Sequence, residues 1–314
     1  MELMRKFFFH GRALAVLALI GALATACGSA APPPSDDQPT PHPSIVVTPI
    51  GSPLPTAEII ISAVDRFNNG LILKEDGLIP DAIAEFGRAL QLDSDYAEAY
   101  NERGQSYSRL EQYEEALSDY DAAIRIDSGF AEAFNNRGVA YFRINEFDVA
   151  IKDFTEAIRL DAGYASPYIN RGAAHYLLGQ LKLAIAEFNE ALDLVPGDTE
   201  ALTNRGAAYF NQSDFQLALD DFNEVIQLDP ENTEAYFNRG NVYLNMDKLS
   251  RSLEDLTQAI TMDSKYVDAY AQRMVTHALL GSFGEAKQDL DRASELGADR
   301  TALEEIIQDI KGSQ

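Results

Sequence analysis

The sequence is poor in several residue types that often signal function. It has one cysteine, Cys27, among 314 residues, so it can form neither an internal disulfide nor a cysteine-based metal cage. It has no tryptophan, and its 25 lysines and arginines against 50 aspartates and glutamates give a net charge of −25. This balance disfavours nucleic-acid binding and attraction to anionic lipid, which both need basic surfaces. The hydrophobic content of 46% is that of a globular protein.

The sequence has no apolar run long enough to span a membrane, and its main apolar run lies near the N-terminus. Residues 13–26 are uncharged and mostly apolar, and they follow a basic start with Arg5, Lys6 and Arg12. The run is too short for a membrane span, which needs about 20 residues. A basic start, a short apolar run and small residues at its end are typical of a secretory signal peptide. We therefore assign residues 1–26 to a signal peptide, with an uncleaved anchor as the alternative.

The single cysteine follows this run directly. Residues 23–29 resemble a bacterial lipobox, in which the cysteine is lipidated and becomes the mature N-terminus. The segment departs from that motif because Ala24, rather than leucine, stands three residues before Cys27, and residues 24–26 also fit ordinary signal peptidase. We expect a lipid anchor on Cys27, which would hold the chain to the extracytoplasmic side of a bacterial membrane. The alternative is a soluble secreted protein.

A proline-rich tether is predicted over residues 27–56. Nine of the 13 prolines of the chain lie in this stretch. Proline fixes φ and removes a backbone donor, so the stretch favours polyproline II and cannot contribute an element to a core. Fully extended, it would reach roughly 90 Å at about 3.1 Å per residue.

From residue 63 onward the sequence matches itself every 34 residues. Apolar residues recur at helical spacing on both sides of a polar break near position 15, so each repeat is predicted to form two antiparallel helices. Positions within a repeat are called columns 1–34 below. Seven repeats fit without a gap, at 63–96, 97–130, 131–164, 165–198, 199–232, 233–266 and 267–300.

Four columns carry small or aromatic residues in nearly every repeat. Column 8 is glycine in six repeats and Met274 in the last, columns 20 and 27 are almost always alanine, and column 24 is aromatic or leucine. We expect the small residues to let the two helices approach closely and the column 24 side chain to fill the space beside them. Pro196 and Pro230, at column 32, are predicted to end helices.

This column pattern resembles the tetratricopeptide repeat family over about residues 57–311. The resemblance implies an all-α, right-handed α-solenoid with seven helix-turn-helix units in residues 57–300. Arg66 replaces the usual aromatic and Met274 the usual glycine, and both lie in terminal repeats, which are commonly atypical. Residues 301–311 are predicted to form a helix that caps the open edge of the last repeat. Its apolar face consists of Leu303, Ile306, Ile307 and Ile310.

The repeats contain no constellation typical of an enzyme. His175 and His277 both fall in column 11, where the other repeats carry leucine or tyrosine, and they are three repeats apart. They are therefore interpreted as packing residues. The carboxylates are spread over repeated helix faces, and none stands out as an acid/base pair. We predict a protein that is not an enzyme, with no catalytic residues, no metal and no cofactor.

Column 7 is arginine in six repeats, and column 23 is acidic in the same repeats. In a helix pair that turns near column 15, these columns lie at the same height. We therefore predict structural ion pairs, including Arg171 with Glu187 and Arg205 with Asp221. The alternative is a basic stripe for phosphate, which the net charge disfavours.

Column 6 is the candidate binding column. Asparagine is a poor helix former, yet four successive repeats carry it there. Its amide offers donors and an acceptor, which suits an extended peptide backbone. Similar asparagine ladders hold peptide on the concave face of the O-linked N-acetylglucosamine transferase repeats, so the resemblance implies peptide binding. The alternative is shared ancestry without a use for each residue. The four residues are Asn136, Asn170, Asn204 and Asn238.

Two further columns define the surroundings of this row. Column 12 supplies aromatic neighbours at Phe142, Tyr176 and Phe210. Column 2 supplies acids at Glu98, Glu132, Glu200, Glu234 and Asp268. Repeats that clamp C-terminal carboxylates use lysines on this face, and columns 2, 5, 6 and 9 contain none. The predicted partner is therefore a neutral or basic extended segment of another protein.

Taken together, these features predict a non-catalytic protein–protein interaction scaffold of the bacterial cell envelope, with no nucleic-acid partner. Two alternatives remain. One is an accessory subunit of, or a regulator for, an envelope enzyme or a secretion or assembly machine, or a non-canonical enzyme that uses the groove. The other is a purely structural spacer, which would bind no partner.

Overall fold

The computed structural model describes residues 62–313, and this part of the chain contains fifteen α-helices and no strand. The predicted signal peptide, Cys27 and the proline-rich tether lie outside the described residues. The helices are α1 (Ala63–Glu75), α2 (Ile79–Leu92), α3 (Ala97–Arg109), α4 (Tyr113–Ile126), α5 (Ala131–Arg143), α6 (Phe147–Leu160), α7 (Ala165–Leu177), α8 (Leu181–Leu194), α9 (Thr199–Gln212), α10 (Phe215–Leu228), α11 (Thr233–Asn245), α12 (Leu249–Met262), α13 (Val267–Leu279), α14 (Phe283–Glu295) and α15 (Arg300–Ser313).

Each 34-residue repeat forms two helices, which confirms the predicted all-α fold of helix-turn-helix units. The described chain divides into an N-terminal block, residues 62–144, and a C-terminal block, residues 145–313. Within each block, every helix packs against the next one in sequence. The first helices of consecutive repeats also touch, as α9 does with α11 and α11 with α13. None of the helices in residues 62–313 is long and apolar enough to cross a bilayer.

The glycines of column 8 permit close packing, as the sequence predicts. A Cβ atom added at Gly172 would lie 2.6 Å from Cε1 of Phe188, and one at Gly104 would lie 2.8 Å from Cε1 of Tyr120. Both rings are at most 2% exposed. The ring of column 24 therefore occupies the space that a column 8 side chain would need.

The polar break at column 15 is a turn with a left-handed backbone in every repeat. Three of its seven residues are glycine, and the other four adopt the same positive φ despite their side chains. The column consists of Gly77, Glu111, Asn145, Gly179, Ser213, Asp247 and Gly281. Asparagine and aspartate tolerate this conformation, whereas other non-glycine residues such as Glu111 lose about 1–2 kcal/mol in it. The repeat length therefore imposes the turn even where the sequence is unsuited to it.

The last helix, α15, packs against α13 and α14 and closes the C-terminal core. Its buried side chains are Leu303, Ile307 and Ile310, and Ile306 packs at the edge of the same cluster. Met274 is fully buried in this cluster, where the other repeats have glycine. The structure thus confirms the predicted capping helix and shows that a column 8 side chain is accommodated beside it.

Candidate functional site

Five arginines of column 7 make the predicted ion pairs, and Arg137 makes an ion pair with Asp121 of column 25. Arg205 Nε and Nη2 donate to the two carboxylate oxygens of Asp221 at 3.0 and 2.6 Å. Arg171 Nη2 donates to Glu187 Oε2 at 2.8 Å. The same paired contact joins Arg103 to Asp119, Arg239 to Asp255 and Arg273 to Asp289.

Each of these arginines in the C-terminal block also reaches the preceding repeat, which the sequence reasoning missed. Arg205 Nη1 donates to Asn189 Oδ1 at 2.7 Å, and Arg239 Nη1 donates to Asn223 Oδ1 at 2.7 Å. Arg171 makes the equivalent bond to Thr155 at 2.9 Å. These partners all lie in column 25, so the polar character of that column was the available signal.

The first repeat replaces the column 7 arginine by another route. It has no arginine in column 7, and Arg66 from column 4 donates to Glu85 Oε2 at 3.0 Å instead. Arg66, which stands where the other repeats have an aromatic residue or leucine, thus supplies the cation. The departure from the family pattern conserves the ion pair.

Burial makes these pairs structural rather than available to a ligand. Burial raises the pKa of Asp221 more than the guanidinium of Arg205 lowers it. The hydrogen bonds to Asp221 raise the pKa of Arg205. With its donors committed to two neighbouring helices, Arg205 is not part of a phosphate-binding stripe.

In the N-terminal block, Asn136 of column 6 is hydrogen-bonded within a group of polar side chains from neighbouring columns. Asn136 Nδ2 donates to Asn101 Oδ1 at 2.9 Å. Asn101 Nδ2 and Gln105 Nε2 both donate to Glu132 Oε1, at 3.1 and 2.9 Å. Lys74 Nζ donates to Gln105 Oε1 at 2.7 Å. The predicted binding residue Asn136 is therefore part of a hydrogen-bond network that joins α1, α3 and α5.

In the C-terminal block, the same column is more deeply buried. Asn170, Asn204 and Asn238 are 6%, 2% and 3% exposed. Asn204 Nδ2 has no hydrogen-bond partner among the described residues. The position that would correspond to Asn101 in the repeat before Asn204 is Ile169, whose side chain offers no acceptor.

Helix α11 carries a stripe of incompletely satisfied polar groups. Asn238 Nδ2 makes no hydrogen bond of normal geometry, although its amide partly lowers the pKa of Glu234 one turn earlier. Asn241 is 7% exposed, and its Oδ1 atom has no partner in the described chain. Residues 234, 238 and 241 follow the i, i+4, i+7 spacing of one helix face. Sequence reasoning missed Asn241, although it is an amide in a column that is apolar in most repeats.

The acids of column 2 in this block are unneutralised. Burial, and then the charge of Asp198, raise the pKa of Glu200 to about 7. Burial likewise raises the pKa of Glu234 and of Asp268. Among residues 62–313, no lysine or arginine makes an ion pair with any of the three. Burial, and then the charges of Glu234 and Asp268, raise the phenol pKa of Tyr266.

The aromatic residues of column 12 take part in packing. Phe142 and Tyr176 are 4% and 6% exposed, and the Tyr176 hydroxyl accepts a hydrogen bond from Asn211 Nδ2. Phe210 is partly exposed, and its ring centroid lies 5.8 Å from that of Phe215. The role of these three residues in peptide binding stays a prediction.

The two histidines of column 11 lie apart from one another. His175 Nδ1 is 2.6 Å from Gln180 Oε1. Burial lowers the pKa of His277, whose Nε2 is 3.9 Å from an Asp289 oxygen that Arg273 also binds. No group of three or more histidine, cysteine, aspartate or glutamate side chains in residues 62–313 is arranged to hold a metal ion.

Comparison with solved structures shows that the fold is widespread. A chain of the APC/C hetero-tetramer Cut9–Hcn1 is 18% identical with a TM-score of 0.62, and the match covers 80% of this chain and 53% of that chain. This chain therefore spans about half the length of that relative. A tetratricopeptide repeat protein from Parabacteroides merdae ATCC 43184 is 17% identical with a TM-score of 0.61, covering 79% of this chain and 98% of that one.

A third structure is YrrB, described as a TPR protein with an unusual peptide-binding site. It is 28% identical with a TM-score of 0.49, and the match covers 59% of this chain and 95% of that chain. That likeness is too partial to bear on function. No curated protein matches this chain in sequence.

Family models match most of the repeats. Three models described as tetratricopeptide repeat match residues 135–199, 199–232 and 222–254, and one described as TPR repeat matches residues 70–111 and 104–145. Together the matches run from residue 70 to residue 254, which is more than half of the chain. With seven gapless repeats and the helix-pair fold, the chain belongs to the tetratricopeptide repeat family.

Proposed function

We propose that the chain is a non-catalytic scaffold of the bacterial cell envelope that binds extended, neutral or basic segments of partner proteins. Membership of the tetratricopeptide family supports a protein-interaction role, because stacked repeats present an extended surface rather than a deep pocket. Binding would use the column 6 amides, with Asn204 and Asn238 as the central residues.

The observation that carries this proposal is the set of buried amides without partners. Asn204 Nδ2 is a buried donor and Asn241 Oδ1 a buried acceptor, and neither has a hydrogen bond in the described chain. Leaving such a group unpaired costs about 1–3 kcal/mol. An extended peptide offers both N–H and C=O groups, so it can satisfy donors and acceptors in one row. Hydrogen bonds to a bound peptide backbone would offset part of the free energy lost by leaving these groups unpaired.

We further propose that a lipid on Cys27 anchors the scaffold on the extracytoplasmic side of a membrane. The support is the position of this single cysteine at the end of a signal-peptide-like segment. The variant Cys27→Ala should move the protein from the membrane fraction to the soluble extracytoplasmic fraction. Recovery of the wild-type protein in the soluble fraction after export would contradict the anchor and support the secreted alternative.

The peptide-binding role can be tested by crosslinking in intact cells, followed by mass spectrometry of captured proteins. The double variant Asn204→Ala, Asn238→Ala should lose captured partners, and circular dichroism should show unchanged helix content. Asn136→Ala is the matched control, because Asn136 is already paired with Asn101. Unchanged capture by a folded double variant would refute the role of these amides.

A further inference from the structure

Equivalent faces of the two blocks differ in the hydrogen bonds and ion pairs that their carboxylates receive. In the N-terminal block, Glu132 accepts hydrogen bonds from two amides, and Lys74 Nζ donates to Glu102 Oε2 at 2.5 Å. In the C-terminal block, Glu200, Glu234 and Asp268 are partly buried and make no ion pair among the described residues. Negative charge in that block is therefore left without a cation.

The unpaired amides lie on the same helix faces as these acids. Asn204 follows Glu200 by four residues on α9, and Asn238 follows Glu234 by four residues on α11. Side chains at i and i+4 lie on one face of a helix. The orphaned Nδ2 of Asn204 and the orphaned Oδ1 of Asn241 are more than nine-tenths buried with their residues. The acids and the unpaired amides thus share one helix face.

We propose that α9, α11 and α13 form a site for the lysine or arginine side chains of an extended peptide, with one cation taken by each successive repeat. This inference rests on the proposed peptide-binding function and specifies the chemistry and the register of the segment. Glu200, Glu234 and Asp268 would each accept one cationic side chain. The amides of columns 6 and 9 would hold the backbone between them.

A metal ion is the competing occupant of an acidic surface, and the geometry disfavours it. These three carboxylates come from three consecutive repeats, and no group of three potential ligands in residues 62–313 is close enough to hold an ion. A peptide can meet carboxylates that are far apart, because its side chains are spaced along an extended backbone. Because no lysine or arginine in residues 62–313 makes an ion pair with these three acids, a partner can supply the cations.

The packing of the helices sets the spacing of these cations. The first helices of consecutive repeats touch, as α9 does with α11 and α11 with α13. Axes of packed helices lie roughly 8–10 Å apart. A polyproline II backbone rises about 3.1 Å per residue and completes a turn in three residues, so every third side chain points the same way. One repeat therefore corresponds to about three peptide residues, and the segment should carry a basic residue at every third position.

Fluorescence anisotropy with the purified full chain tests this inference. The probes are three labelled synthetic peptides of serine and glycine, with lysine at every third position, with the same number of lysines placed adjacently, or with glutamine replacing the spaced lysines. The spaced-lysine peptide should bind at least about tenfold more tightly than the other two, as expected for close charge pairs.

The matching protein variant is the triple substitution Glu200→Gln, Glu234→Gln, Asp268→Asn, which should weaken binding of the spaced-lysine peptide at least about tenfold. The control is Glu190→Gln, Glu224→Gln, Glu254→Gln, which changes the net charge equally at exposed positions on the second helices. Its effect should stay within about threefold at physiological salt, where distant exposed charges are screened. Because the test substitutions remove buried charges, they should not lower the melting temperature.

The outcomes separate this inference from the proposed function. Equal effects of the two triple variants, or equal binding of spaced and adjacent lysines, would overturn it. If the glutamine peptide binds as tightly as the lysine peptide and Asn204→Ala, Asn238→Ala abolishes both, the cation site is wrong and peptide binding stands. If no peptide binds, the cation site is overturned, and capture by crosslinking still decides the proposed function.

Discussion

The ion pair between Arg205 and Asp221 allows a quantitative test of how the repeats are held together. The Asp221 side chain is 5% exposed and the Arg205 side chain 21% exposed, and two hydrogen bonds of 3.0 and 2.6 Å join them. Arg205→Met would leave a buried carboxylate without its cation. Asp221→Leu would leave Arg205 partly exposed and still bonded to Asn189. The two single variants should therefore differ in cost.

Magnitudes follow from the burial of each group. Breaking a buried pair by removing one partner costs about 3–5 kcal/mol, whereas replacing both by apolar residues is often neutral. Because Arg205 is about one-fifth exposed, we expect about 2–3 kcal/mol for Arg205→Met and about 1–2 kcal/mol for Asp221→Leu. The double variant should lose only about 0–1 kcal/mol. The resulting coupling of about 2–5 kcal/mol is well above the 0.5 kcal/mol at which independent sites are called additive.

The assay is urea unfolding followed by circular dichroism, combined with hydrogen exchange of the amides in α9 and α10. Exchange is needed because stacked repeats can lose global two-state behaviour. The cost of Arg205→Met should also shrink on acidification, since the pKa of the buried Asp221 carboxyl is raised and protonation removes its charge. Additive single-variant effects, or a double variant as unstable as Arg205→Met, would refute the reasoning.

Three further predictions address packing, turns and pH. Gly172→Ala should cost about 1–2 kcal/mol in thermal unfolding, because its Cβ would lie 2.6 Å from a buried phenylalanine ring, whereas Gly284→Ala, with nothing within 4 Å, should not destabilise. At column 15, Gly179→Ala should cost about 1 kcal/mol and Glu111→Gly should stabilise by up to about 1 kcal/mol, because both positions have positive φ. The pKa of Glu200 is about 7, above the roughly 4.3 of an exposed glutamate, so the folded state binds more protons between these values. The free energy of unfolding should therefore fall as pH rises through this window, and Glu200→Gln should remove that contribution and add roughly 2–4 kcal/mol at pH 8.

Each of these has a result that would contradict it. Equal melting temperatures for Gly172→Ala and Gly284→Ala would mean that the column 24 ring has room to move. A destabilised Glu111→Gly would mean that the entropy of glycine in the unfolded chain outweighs the strain of a left-handed glutamate. A Glu200→Gln variant with the wild-type pH profile would show that this carboxyl is solvated.

The helix pairs and their close contacts could be predicted because their causes are steric and recur in every repeat. A glycine in column 8 requires a neighbour that would clash with a Cβ, and the ring in column 24 is that neighbour. The polar break in column 15 likewise marks a turn that the backbone makes in all seven repeats. Because the same pattern recurs in seven repeats, the helix pairs and their turns could be predicted from the sequence.

The state of the candidate site could not be predicted from one column, because hydrogen-bond satisfaction depends on the preceding repeat. Asn136 is paired because Asn101 in the previous repeat accepts its hydrogen bond. The equivalent neighbour of Asn204 is Ile169, so an identical asparagine is left with an unpaired donor. Comparing column 6 with column 5 of the repeat before it would have exposed this difference.

The repeats that carry the unpaired groups are also those that can tolerate them. Stability in a repeat array is approximately a sum of repeat and nearest-neighbour terms. The first helices of repeats 5 and 6 each carry an arginine bonded both to its own repeat and to the one before, as in Arg205 and Arg239. These bonds lie in columns 7, 23 and 25, whereas the unsatisfied groups lie in columns 2, 6 and 9 of the same helices. Since structural and candidate binding columns are separate, Glu234 or Asn238 can change with the partner while the ion pairs and glycine–ring contacts stay fixed. A partner that fills the second set of columns would then stabilise the C-terminal block without altering the first.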